Sequence, residues 1–125
     1  MPSPREGCLF CSLIAGGEHV NAADGFVAIR DVNPLAETHL LVLPERHVDT
    51  FRDVALFPPD EAARMLQFVA ETAKAAGLED YRVLVNVGPS AGQTVFHLHW
   101  HILGGGPGSA DDVPSAVATA EAGEE

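Results

Sequence analysis

An α+β fold is expected from three features of this sequence. One stretch, residues 60–76, carries a strong helical periodicity. Several runs of strand length lie on both sides of it. Near the end, "HLHWHIL" (97–103) places His97, His99 and His101 at every second position. A strand has a side-chain period of two, so the three imidazoles share one face and Leu98, Trp100 and Ile102 take the other. Antiparallel strands with one main helix complete the expectation.

The elements follow in chain order. "CLFCSLI" (Cys8 to Ile14) is apolar and closed by Gly16-Gly17, which reads as a short helix of one or two turns. "GFVAIRDV" is β-rich and predicts a strand from Phe26 to Asp31, broken by Asn33-Pro34. "HLLVLP" (39–44) is a continuous apolar run of strand length, ended by Pro44. Pro58-Pro59-Asp60-Glu61 has the prolines and acids of a helix start. Ala62, Met65, Leu66, Val69, Ala73 and Ala76 then recur at three- and four-residue steps, and Gly77 supplies the stop. "YRVLVNV" (81–87) returns to period two, and the loop "GPSAGQ" leads into a final strand from about Thr94 to Leu103.

The chain divides into an N-terminal extension (1–7), one domain (8–104) and a tail (105–125) that is rich in Ala, Gly and acids and is expected to be mobile in isolation. The 125 residues suit a single hydrophobic core. "MPSPREG" has no apolar run after its arginine, and no stretch approaches the ~20 apolar residues of a membrane span. A cytoplasmic location and no membrane partner are therefore expected. Net charge is −11, and the seven Arg and Lys residues are scattered, which argues against long nucleic acid. A small phosphate ligand is still compatible, since backbone N–H groups and imidazoles can hold one.

The only cysteines, Cys8 and Cys11, form a Cys-x-x-Cys pair. It reads as a metal half-site, as a redox dithiol lacking the usual preceding strand, or as two small apolar fillers. Gly88 and Gly92 let a backbone come close to a ligand and turn its N–H groups toward an anion. The loop lacks lysine and feeds a strand, so it is no Walker loop. An exposed neutral imidazole beside such a loop suits attack on phosphorus, because its ordinary pKa is about 6.5. His19, in "GGEHVNAADG", reads as a surface histidine.

"HLHWHIL" resembles the His-φ-His-φ-His-φ-φ signature of the histidine triad (HIT) superfamily, where φ is apolar. The resemblance extends through "CLFC", "RDVNPLAETHLLVLPERH" and "NVGPSAGQTVFHLHWHILGG", and is strongest to the Hint branch of histidine triad nucleotide-binding proteins, in its bacterial Cys-x-x-Cys form. It implies a five-stranded antiparallel sheet with one long and one short helix, paired through the long helix and a strand into a homodimer with a ten-stranded sheet. By the same resemblance His99 is the nucleophile on the α-phosphorus of a purine nucleotide derivative, such as an adenosine or guanosine 5′-monophosphate conjugate. A covalent nucleotidyl-histidine forms and is hydrolysed. His101 contacts the phosphate, and Gln93, Thr94 and Val95, after Gly92, donate to its oxygens. The Thr94 hydroxyl lies near the leaving group, Asn86 lines the phosphate end, and Asp31 accepts from the ribose hydroxyls. Leu9, Phe10, Leu13, Ile29 and Val32 form the slot around the base. Cys8, Cys11, His47 and His97 hold a structural zinc ion in a closed tetrahedral site, and His39 orients the histidine pair. The tail and the details of the base pocket depart from the animal proteins.

The expected activity is hydrolysis of nucleoside phosphoramidates or other substituted nucleoside 5′-monophosphates, falling as His99 protonates. Its rivals are a dinucleoside polyphosphate hydrolase, a nucleotide-binding regulatory module with vestigial activity, and a single metal held by all three triad histidines.

Overall fold

A computed structural model describes residues 7–105. The expected N-terminal extension and acidic tail lie outside the described residues, apart from Gly7 and Gly105. Five strands form one sheet: β1 (Asn21–Ala23), β2 (Phe26–Arg30), β3 (Thr38–Pro44), β4 (Tyr81–Leu84) and β5 (Trp100–Gly104). Every neighbouring pair is antiparallel, in the order β1-β2-β3-β5-β4. Beside the sheet lie helices α1 (Leu9–Gly16) and α2 (Pro59–Ala75), with short 3₁₀ turns at Phe51–Leu56 before α2 and at Pro89–Ala91 between β4 and β5.

The continuous apolar run of β3 is explained by burial on both faces. Leu40 and Val42 join Phe26, Ala28, Met65, Phe68, Val69 and Ala73 in the core under α2. Leu41 and Leu43 join Val27, Ile29 and Phe10 in a second core under α1. Leu98, Trp100 and Ile102 belong to the α2 core, so the period-two reading of "HLHWHIL" places its apolar side chains correctly.

Several boundaries differ from the sequence reading. β5 begins at Trp100, and residues 94–99 carry no ladder. The partner strand ends at Pro44, which has no N–H to give, and the Leu98 N–H turns instead to the Val48 carbonyl at 2.8 Å. β4 stops at Leu84 because its pairing with β5 runs out at the Leu84–His101 pair. In α2, Leu66 is 56% exposed while Phe68 and Thr72 are buried. Ala76 is the cap residue, followed by Gly77 at φ +81°. The hairpin β1–β2 is an element the sequence reading does not contain. Its two-residue turn is Asp24-Gly25, both at positive φ, a strong local hairpin signal. Among the described residues no helix is long and apolar enough to cross a membrane.

Candidate functional site

All three triad histidines lie on the α1 side of the sheet and are at most 1% exposed. This corrects the expectation of an exposed imidazole. Phe10 of α1 packs edge-on against the His99 ring at 4.9 Å, and His101 lies against His99 at 5.2 Å. Burial pushes the pKa of His99 down to about 4 and that of His101 down to about 3; neighbouring histidines add to the latter shift. Both rings are therefore neutral at physiological pH.

Hydrogen bonds fix the tautomers of this pair. His99 Nδ1 lies 2.7 Å from the His97 carbonyl, which only accepts, so Nδ1 carries the proton and Nε2 keeps a lone pair. The Leu35 N–H donates to His39 Nδ1 at 3.1 Å. His39 is buried and its pKa is lowered by desolvation, so its single proton sits on Nε2. That N–H donates to His101 Nδ1 at 2.9 Å, which leaves His101 with N–H at Nε2. The Nε2 atoms of His99 and His101 are buried with no hydrogen-bond partner. The site thus pairs one free lone pair with one free N–H.

Asp31 joins this cluster. One carboxylate oxygen accepts from the Asn33 N–H at 3.0 Å. The other stands 3.3 Å from His39 Nε2 and accepts no hydrogen bond. Asp31 also lines a cavity of about 510 Å³, whose walls include Phe10, Leu13, Ile29, Val32 and Leu41. That volume is typical of small-molecule sites. Leu9 packs beside this wall without lining the cavity. Glu18 and His19 do line it, and His19 is exposed as expected of a surface histidine. Neither has a recognisable signal in the sequence.

The glycine loop supplies a further correction. Gln93, placed by resemblance among the phosphate donors, is 2% exposed and spent internally. Its carbonyl oxygen accepts from the Gly88 N–H at 2.9 Å, and its amide donates to the Asp49 and Val95 carbonyls at 2.8 and 3.1 Å. Its backbone N–H donates to the Gly88 carbonyl. Gln93 therefore ties the β4–β5 connection to itself and to the Asp49 loop. Gly88 and Gly92 both take positive φ, and Arg52 covers Gly88 so closely that a Cβ there would lie 2.7 Å from its guanidinium. Thr94 is exposed, Val95 half-buried against the α1 core, and Asn86 buried beyond β4.

A second cluster gathers Cys8, Cys11, His47 and His97, whose ligand atoms all lie within 4.8 Å of one another. His97 Nε2 donates to the Pro44 carbonyl at 2.8 Å, and His47 Nε2 faces the Asp49 carboxylate at 2.9 Å. With both rings as Nε2–H tautomers, their Nδ1 lone pairs face each other across 3.1 Å. Cys11 Sγ is 3.3 Å from His47 Nδ1 and 3.5 Å from His97 Nδ1, and Cys8 Sγ is 3.5 Å from His97 Nδ1. Two facing lone pairs repel unless a cation lies between them. Tetrahedral zinc with these ligands spaces them ~3.3–3.8 Å apart, so the residues fit a metal ion. The outer Pro44 and Asp49 contacts hold both rings in the ligating tautomer. Burial raises the Cys8 thiol, a shift that a cation would reverse. Among the described residues the other metal-capable group is Asp31, His39 and His101. The three triad histidines do not form one, which disfavours the single-metal rival.

Comparison with known proteins defines the class. The sequence profile of the HIT domain family matches residues 17–108, and the chain belongs to that family. It is 38% identical over 103 residues to protein HitA of Neisseria gonorrhoeae, covering 79% of this chain and 96% of that one. The structure resembles a HIT family hydrolase from Clostridium thermocellum with TM-score 0.77 at 30% identity, covering 90% of this chain and 99% of the other. It also resembles a hypothetical histidine triad nucleotide-binding protein from Sulfolobus tokodaii with TM-score 0.68 at 32% identity, covering 88% and 74%.

Proposed function

We propose that this protein hydrolyses nucleoside phosphoramidates or related substituted nucleoside 5′-monophosphates through a nucleotidyl-histidine at His99. The observation that carries the reading is the tautomer pairing: a lone pair on His99 Nε2 beside an N–H on His101 Nε2, both buried and unpartnered. Family relatives described as a hydrolase and as a nucleotide-binding protein support it.

In this reading His99 Nε2 bonds to the α-phosphorus as the bond from phosphorus to the leaving nitrogen breaks. The departing nitrogen takes the Nε2 proton of His101. The positive charge gained by His99 offsets the negative charge left on His101, which the His39 N–H steadies. Water then attacks phosphorus, returns a proton to His101 Nε2 and frees His99. The products are a nucleoside monophosphate and an amine, with one water consumed. Both Nε2 atoms are closed to solvent here, so substrate binding requires the surrounding side chains to part.

Asp31, with one carboxylate oxygen free beside the cavity, suits the ribose hydroxyls, and the apolar walls suit a purine. The amides of Thr94 and Val95, with Asn86, would surround the phosphate. Cys8, Cys11, His47 and His97 would hold zinc, which fastens α1 to the histidine segment and takes no part in the chemistry. A homodimer through α2 and β4 fits the exposure of Leu66 and of Val83 on an edge strand. A cytoplasmic location completes the proposal.

The test follows turnover of an adenosine phosphoramidate and of a dinucleoside triphosphate by wild type and His99→Gly, with protein mass recorded after mixing. A nucleotidylated wild type and a loss of at least about 10³-fold in the variant are expected. Preference for the triphosphate would favour the polyphosphate hydrolase, and nucleotide binding without turnover would favour the regulatory module. Undiminished turnover in His99→Gly would sink the nucleophile assignment.

A further inference from the structure

We infer that the cavity selects guanine among the bases, and that Glu18 is the residue that reads it. The inference rests on the nucleoside reading of the cavity proposed above. α1 orients the cavity. Its first turn carries Phe10, in contact with the His99 ring, and its cap residue Gly17 leads directly into Glu18 and His19. Helical rise puts Gly17 about 10 Å along the axis from Phe10, comparable to the span of a nucleoside monophosphate from phosphorus to base. A nucleotide with its phosphorus at His99 and its ribose at Asp31 therefore brings its base toward Glu18 and His19.

The chemistry at that end is one-sided. A carboxylate only accepts hydrogen bonds. His19 Nε2 lies 3.2 Å from the Leu13 carbonyl and donates to it, so that N–H is already engaged. Arg30 also borders the cavity. It alternates with Ile29 and pairs with Leu40, which belongs to the α2 core, so its side chain projects toward the α2 face. The remaining walls are apolar, with Asp31 at the ribose position. Glu18 is the acceptor that this end of the cavity offers to the base.

Guanine alone among the common bases presents two adjacent donors, N1–H and the 2-amino group, on its pairing edge. A carboxylate accepts both at once, the geometry that makes such pairs strong. Adenine turns the N1 lone pair toward the same oxygens, and cytosine its N3 lone pair. Uracil flanks its single N–H with two carbonyls. Inosine keeps N1–H but lacks the amino group and should fall between guanine and adenine. Reading a base by its pairing edge between apolar walls is a recurrent solution.

The experiment measures, by calorimetry on the full chain, the binding of guanosine, inosine and adenosine 5′-monophosphates to wild type, Glu18→Gln and Glu18→Ala. Glu18 is exposed, so both variants should keep the fold. Wild type is expected to bind the guanosine nucleotide about ten-fold tighter than the adenosine nucleotide, a difference the size of one charged hydrogen bond. Either substitution should bring the two within about two-fold, by weakening guanosine binding. Equal wild-type affinities, tighter adenosine binding, no nucleotide binding, or a guanosine preference that survives both substitutions would each overturn the assignment. If the preference and its loss appear but no guanosine phosphoramidate is turned over, the proposed reaction fails while base selection by Glu18 stands.

Discussion

Replacing Gln93 by glutamate exchanges one amide nitrogen for oxygen and tests whether this side chain holds the glycine loop. In the wild type its amide donates to two carbonyls, those of Asp49 and Val95, from a position 2% exposed. An ionised carboxylate in its place would face both oxygens with a third, buried and unpaired. The new side chain will therefore stay protonated in the folded protein, its pKa raised well above the ordinary ~4.3. Holding it protonated at pH 7 costs ~1.4 kcal/mol for each pH unit above that value, or roughly 4 kcal/mol. One O–H cannot serve two carbonyls, which adds about 1 kcal/mol. The sign is definite. A carboxyl group whose folded pKa is raised contributes its penalty above the unfolded pKa, and the penalty shrinks as pH falls toward it. Urea unfolding of wild type and variant at pH 5, 6 and 7 should give a stability difference of roughly 2 kcal/mol at pH 5. It should grow by ~1.4 kcal/mol per unit to roughly 5 kcal/mol at pH 7. Titration of the native histidines is common to both proteins and cancels in the difference. A difference that stays constant with pH, or remains under about 1 kcal/mol at pH 7, would refute a buried, fully engaged Gln93.

Two further outcomes are expected. The protein purified in the presence of zinc should carry one equivalent, and Cys8→Ser or a strong chelator should remove it and lower the unfolding midpoint by about 5 °C or more. Metal content by mass spectrometry beside thermal unfolding checks this, and an unchanged midpoint after complete metal loss would rule out the structural role. The pH dependence of kcat/KM should be flat from pH 7 to 5 and fall only near pH 4. Burial holds the His99 pKa at about 4, and the lone pair is lost only when that nitrogen protonates. An inflection near 6.5, the ordinary imidazole value, would show a solvated nucleophile and contradict the packing around it.

Local rules make much of this protein legible in its sequence. Strict alternation in "HLHWHIL" puts three imidazoles on one side and Leu98, Trp100 and Ile102 on the other, because alternation is a property of extended backbone even where, at 97–99, no ladder forms. The three- and four-residue repeat finds α2, and Gly77 finds its end. The family resemblance draws attention to Cys8, Cys11, His47 and His97, whose atoms the fold then gathers. The Asp24-Gly25 turn is an equally local signal, and the hairpin it makes could have been found the same way. Tertiary structure alone decided the chemistry. Which nitrogen of His99 or His101 bears a proton depends on the carbonyl of His97 and on a chain from Leu35 through His39, contacts that span up to 62 residues. Burial of the triad depends on α1 folding over the sheet. Gln93 faces inward because Gly88, Asp49 and Val95 converge on it, and Glu18 lines the cavity because α1 ends there. Periodicity is written residue by residue along the chain, whereas a proton's position and a side chain's solvation are fixed by partners that only the folded chain brings near.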